Sequence, residues 1–336
     1  MFVLAALTGC VRTEQLPAPD REISFTVASY QPAITKGTLE SQGVTSFNTK
    51  AYLHAEGYES VTQDFFGVAG ETITKQDSYW YPSHPYYWPK SNLSYVNFVS
   101  WYDKNGSGPT SVSETRMDWT NRTIAHNDDI MYADEAWRFF NDSPSVPVLF
   151  HHALAQVKFQ ARLSEASEGG TSWTVTISNL QVSNVHKTGS LSLYNSDPAT
   201  SYTNNAWTNA AGNAAPVWTQ TEAVDTLRHV GSYTLDASTK VLMNTRTVLP
   251  QSTFGMVLTF DYTINTTYSQ NNPIHSVSES ATASINLYND FRIYTWDMNT
   301  RITYTIVINP KTNKITFDPC LAESWNNDPD NSMYIE

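Results

Sequence analysis

Apolar residues recur at every second position along much of this chain. Ile23, Phe25 and Val27 alternate with Ser24, Thr26 and Ala28. Val157, Phe159, Ala161 and Leu163 alternate with Lys158, Gln160 and Arg162, and Trp173, Val175 and Ile177 with Thr174, Thr176 and Ser178. Met256, Leu258, Phe260, Tyr262 and Ile264 keep the same rule, as do Ala281, Ala283, Ile285 and Leu287, and Ile302, Tyr304, Ile306 and Ile308. Segments of this kind bury one face and solvate the other, as in antiparallel sandwiches. After Ser178 the phase slips, since Leu180 and Val182 are the next apolar positions, and a bulge is predicted there. Asn309-Pro310-Lys311-Thr312-Asn313 predicts a hairpin turn leading into a strand over residues 314–317. No stretch holds helical spacing over three turns. Residues 129–139, with Asp129, Asp134 and Glu135 among Ile130, Met131, Ala133, Ala136 and Trp137, are the best short helix candidate. The predicted class is all-β.

Two prolines and several turn formers interrupt the alternation at residues 141–147 and predict a boundary. The expected organisation is an N-terminal β-sandwich over residues 22–145 and a C-terminal one over residues 146–336, opened by a strand that begins at Val148. Residues 195–214 and 268–273 are polar and read as surface loops. Residues 11–21, with Pro17 and Pro19 and no periodicity, read as a tether. Ahead of them, Leu7-Thr8-Gly9-Cys10 closes an apolar run, and residues 1–10 read as the end of a signal peptide with a lipobox. Cys10 would then be acylated and everything before it removed. The run is far too short to cross a bilayer, which takes roughly 20 apolar residues. No positive charge precedes Phe2, so the start is expected upstream, or Met1 is an internal start.

With 336 residues the chain can bury two ordinary cores. Its formal charge of -12, without any basic block, argues against nucleic acid and against an electrostatic grip on anionic lipid. Charged residues make up only 15%, while Thr, Ser, Asn and aromatics are abundant, which is a β-rich, exported composition. The two cysteines are Cys10 and Cys320. An acylated Cys10 leaves Cys320 a single thiol and the fold without a disulfide framework; a Cys10–Cys320 bridge requires the lipobox reading to be wrong.

The chemistry-bearing motifs are few. Gly106/Gly108 and Gly169/Gly170 sit in turn-like contexts, with no Lys-Ser/Thr after them and no helix to open. There is no Gly-x-Ser-x-Gly elbow and no His-Glu-x-x-His. His151 and His152 are strand neighbours that point to opposite faces and cannot share one ion; His151, in phase with Val157 and Phe159, reads as a core histidine. Asp128-Asp129 and residues 327–331 supply oxygens but lack the spacing and glycine of a calcium loop, and read as turns. Asp261 and Glu222 show no carboxylate partner. No metal, cofactor or enzymatic activity is therefore expected. In the dense aromatic run 79–89, Trp80, Tyr86 and Trp88 read first as packing at one end of a sandwich, and second as a glycan contact. Asp225-Thr226-Leu227 resembles the short O-glycosylation motif of exported Bacteroidetes proteins.

In their order, these segments resemble the Bacteroidetes fimbrillin family, the lipoprotein pilins of type V pili. The resemblance runs from the lipobox through Ile34-Thr35-Lys36-Gly37-Thr38, residues 47–53, Tyr86-Tyr87-Trp88-Pro89, residues 93–102 and residues 128–133. It continues through residues 148–157, Val248-Leu249-Pro250-Gln251, residues 296–308, Ile315-Thr316-Phe317 and Trp325. It implies two tandem transthyretin-like sandwiches, lipidation, transport to the outer membrane, removal of an N-terminal segment by proteolysis, and polymerisation by donor-strand exchange. The implied partners are other pilin subunits, the membrane through a lipid anchor, and a host or bacterial surface ligand. The displaced strand would carry Ile23, Phe25 and Val27. Its replacement would come from Ile315 and Phe317 with Met333 and Ile335. Lys36 is placed for processing after the displaced strand, whereas Arg12 and Arg21 precede it and would leave it attached. Val11, Arg12 and Thr13 lack the acidic cluster often associated with surface export in this phylum. A tip, accessory or anchor subunit, or a non-polymerising surface lipoprotein that binds carbohydrate, is the alternative.

Overall fold

The computed structural model describes residues 22–29, 43–55, 63–89, 94–139, 145–195, 206–212, 214–221, 223–270 and 273–325. Cys10, Arg12, Arg21, Lys36, Met333 and Ile335 lie outside these residues, as do the lipobox and the tether. The first half holds β1 (Ser24–Ser29), β2 (Ser46–His54), β3 (Gln63–Asp64), β4 (Glu71–Gln76), β5 (Tyr79–Pro82) and β6 (Tyr95–Asp103). It continues with β7 (Ser111–Val112), β8 (Arg116–Thr123), β9 (Ile130–Ala133), β10 (Ala136–Phe139) and β11 (Ser145–His152). Then come β12 (Ala155–Leu163), β13 (Thr171–His186), β14 (Thr188–Tyr194), β15 (Trp218–Gln220), β16 (Val224–Leu235), β17 (Lys240–Val248) and β18 (Gln251–Ser252). The last described elements are β19 (Val257–Tyr268), β20 (His275–Asn286), α1 (Leu287–Asp290), β21 (Thr295–Trp296), β22 (Thr300–Asn309), β23 (Lys314–Phe317) and β24 (Leu321–Ser324). The protein is all-β; α1 is a single turn.

In the first half, β2 pairs with β4 along one edge and β6 along the other, so the path β6-β9-β11-β1-β5-β4-β2 closes on itself. Closure leaves few bare edges. Its interior is filled by Ile23, Phe25, Phe47, Ile73, Phe98, Val148 and Phe150. In the second half, a layer ordered β17-β12-β22-β23 faces one ordered β16-β13-β19-β20, with Val157, Phe159, Ile177, Phe260 and Tyr304 between them. A third core lies between the halves and contains Trp101, Trp119, Trp207, Trp218 and Trp325. It is covered by the sheet β15-β14-β8-β7, in which β8 comes from the first half and β14 from the second.

The bulge predicted after Ser178 is present. β13 shifts register against both β16 and β19 there, with Asn179 at φ 53°. The turn after Asn309 is present too, its Oδ1 accepting from the backbone N–H of Lys311 and Thr312 at 3.0 Å each. Residues 129–139 are not helical. They form β9 and β10, which follow one another end to end along one edge of β6. All four residues of β9 are buried, so its sequence lacks the alternation of a half-exposed strand.

The strand expected to open the C-terminal sandwich belongs instead to the first-half layer. β11 pairs in parallel with β1 over Ser24↔Ser145 to Ser29↔Phe150, and with β9 on its other edge. The break comes directly after β11, at Ala153-Leu154, and β12 begins the next layer. That shift reverses the two histidines. His152 is buried and His151 half-buried, because β11 and β12 lie in different layers and do not share one phase.

β14 tolerates little added bulk at the junction. A Cβ on Gly189 would stand 2.9 Å from Leu249 Cδ2 and 2.9 Å from the carbonyl oxygen of Thr219. Gly189→Ala is therefore expected to destabilise the protein by about 1–3 kcal/mol, read as a lower urea midpoint.

Candidate functional site

β1 carries Phe25 and Val27 of the strand expected to be displaced, with Ile23 just before it. It sits between two strands from distant parts of the sequence. Six residue pairs join it in parallel to β11, while only Phe25↔Trp80 joins it to β5. Before β1, Ile23 N–H donates to the Tyr86 carbonyl at 2.8 Å, and Glu22 forms an isolated bridge with Tyr87. Ile23 and Phe25 are fully buried and Val27 is half-buried, so one face of β1 inserts into the core. The Phe25 ring meets Phe98 edge-on at 5.4 Å and Phe47 at 6.0 Å. Without β1, a row of backbone donors and acceptors on β11 would stand bare above an apolar floor. Such a slot can take up another strand.

Trp80, Tyr86 and Trp88 belong to the wall of this core. Trp80 is 3% exposed and Trp88 5%. Tyr86 is half-buried against Phe66, with ring centroids 4.5 Å apart, and its hydroxyl donates to Glu71 Oε1 at 2.8 Å. Their reading as a glycan contact is therefore corrected, and the packing reading holds. Ile315 and Phe317 lie on β23, paired with β22, and the Phe317 ring rests 4.2 Å from that of Phe291. β24 continues along the same edge of β22 to Trp325, which stacks on His152 at 4.4 Å. These two residues are already employed within their own sheet.

Beneath β2, β6 and β10 lies a buried polar network. His54 Nε2 is 2.6 Å from Glu114 Oε1, and Asn97 Nδ2 donates to the same oxygen at 3.3 Å. Glu135, fully buried, accepts from Trp137 Nε1 at 3.2 Å and from Asn195 Nδ2 at the end of β14. Burial first, and the nearby Glu114 charge second, push the Glu135 carboxyl up to about 8, against the pull of its hydrogen-bond donors. The sequence hides this network because its members come from five segments.

Asp128 and Asp129 are likewise engaged. Asp128 accepts from Ala125 N–H at 2.8 Å and faces Arg122 at 3.3 Å; Asp129 Oδ1 lies 2.7 Å from His152 Nδ1. A cleft of about 290 Å³ is lined by Gly106, Thr110, Trp119, Asn121 and Arg122. Its guanidinium also pairs with Asp103 at 3.0 Å. Among the described residues, no group of three or more His, Cys, Asp or Glu side chains is placed to hold a metal ion, and no helix is long and apolar enough to cross a membrane.

A family model described as fimbrillin-like matches residues 39–325. No curated protein matches the chain. A solved fimbrial protein from Bacteroides vulgatus is similar in fold, with a TM-score of 0.56 and 12% identity over 90% of this chain and 99% of that one. A candidate cell adhesion protein from Bacteroides uniformis gives a TM-score of 0.50 and 15% identity, over 91% of this chain and 100% of that one.

Proposed function

The chain belongs to the fimbrillin-like family, and from that premise we propose that it is a structural or accessory subunit of a cell-surface fimbria with a part in adhesion. Assembly would proceed by donor-strand exchange. The observation that carries this reading is β1, an N-terminal strand whose side chains fill the core while its hydrogen bonds reach only strands distant in sequence. A strand so held can be replaced by another of similar pattern once the chain behind it is cut. Lys36 is the proposed cleavage point; Arg12 and Arg21 precede β1, and a cut there would leave it attached.

Since Ile315 and Phe317 are committed to the β22 edge, the donor is taken to be the segment beyond Trp325. There Met333 and Ile335 repeat the every-second-residue spacing of Ile23, Phe25 and Val27. Acylation at Cys10 would hold the precursor at the outer membrane. No catalytic activity is proposed: the carboxylates at Asp103, Asp128, Asp129 and Glu114 face cationic or histidine partners, and Glu135 is fully buried with Trp137 and Asn195 donating to it.

The test is limited digestion of the purified full chain with a trypsin-like protease, followed by sizing in detergent. Cleavage after Lys36, release of the β1 fragment and growth of detergent-resistant oligomers are expected. A digest that stays monomeric, with β1 still paired, would count against polymerisation.

A further inference from the structure

We propose that Phe254, Tyr288 and Tyr294 form a docking site for the sugar face of a surface glycan. They come from three segments that the fold brings to one place. Phe254 follows β18, Tyr288 lies in α1, and Tyr294 precedes β21. The Phe254 and Tyr288 rings meet edge-to-face, with centroids 5.5 Å apart and planes at 88°, and those of Tyr288 and Tyr294 are 4.7 Å apart and tilted by 57°, so the three line an angled recess and not a flat platform. Phe254 is 78% exposed and Tyr294 53% exposed. Rings left in water to this degree contribute little to the core.

The backbone beneath the rings is fixed. β18 pairs with β21, Thr253 N–H donates to the Tyr294 carbonyl at 3.0 Å, and Met256 N–H closes a turn on the Thr253 carbonyl at 3.0 Å. Asn184 Nδ2 donates to the Gly255 carbonyl at 2.8 Å, and Leu287 N–H to the Met256 carbonyl at 3.1 Å. Arg292 takes φ 57°, an uncommon conformation for a long side chain, and turns outward while Phe291 enters the core. The aromatic group is thus presented ready-made, with little ordering left to be done on binding.

A pyranose offers apolar C–H faces rimmed by hydroxyls. The three rings supply the apolar surface, and two phenol hydroxyls with the exposed Asn289, Asp290 and Arg292 supply donors and acceptors. Size favours a sugar over a protein. Three partly exposed rings present on the order of 300 Å², whereas a stable protein interface needs about 800 Å² per partner. The site lies in the second half, far in sequence from β1, and goes beyond the assembly role without depending on it.

The experiment uses the unprocessed monomeric full chain on an array of host and bacterial oligosaccharides, with hits titrated in solution. A hit whose affinity falls at least tenfold in both Phe254→Ala and Tyr294→Ser, while each variant keeps the unfolding midpoint of the parent, is the expected result. No hit on the array would overturn the proposal. So would a hit that both variants bind unchanged, or a self-association of the parent that Phe254→Ala abolishes.

Discussion

Phe25→Ala is expected to remove about 3–5 kcal/mol of stability, as truncation of a fully buried phenyl ring does when its surroundings cannot collapse. The collapse is blocked here because Phe47 and Phe98, which receive the ring edge-on, sit on strands of a closed layer. Urea unfolding would show the midpoint falling with little change of slope. Val27→Ala, further along β1 and only half-buried, should cost about 1 kcal/mol, less than full burial of a valine is worth. If both substitutions cost the same, the core does not grip β1 in the graded way its burial indicates. Under the strand exchange proposed above, an incoming strand would gain most where Phe25 now sits.

Glu135→Gln is expected to stabilise the protein at neutral pH and to flatten its pH dependence. The Glu135 carboxyl titrates at about 8 in the fold, against an ordinary 4.5. The native state therefore keeps a proton that the unfolded chain releases. Its contribution is fully present below pH ~4.5 and is lost as the pH rises towards ~8. At pH 7 the loss amounts to about 3 kcal/mol, at 1.36 kcal/mol per unit of displacement. Glutamine cannot ionise and can still accept from Trp137 and Asn195. Unfolding midpoints of the two proteins should nearly coincide at pH 4.5 and separate progressively at pH 6, 7 and 8. A constant gap across that range would mean that Glu135 is not the titrating group.

Much of this fold was legible as alternation. β12, β13 and β19 bury one face and carry the pattern openly, and the phase slip at Ser178 marks a real register shift. The pattern falls silent where both faces are covered. β9 is buried at every residue, so Ile130, Met131, Tyr132 and Ala133 look like the apolar stripe of a short helix. The His151-His152 phase failed for another reason: it was carried across Ala153-Leu154, where the chain leaves one layer for the next.

The site was half visible. Ile23, Phe25 and Val27 stand out by spacing and by family resemblance. The partners of β1 do not, because β11 lies more than a hundred residues away and pairing at that range leaves no local trace. Trp207, in a stretch that reads as a polar loop, is buried and donates to the Ala133 carbonyl at 2.8 Å. Phe254, Tyr288 and Tyr294 look unremarkable singly and become a cluster only when folded.

The β8–β14 ladder has a mechanical consequence. Thr188↔Thr123 to Tyr194↔Arg116 are zipped antiparallel, over a floor rich in tryptophan. Bending one half relative to the other would have to peel that ladder and wet the indoles together. The two halves should therefore move as one stiff body, and in the filament proposed above bending would fall on the contacts between subunits, where tension in flowing liquid would concentrate.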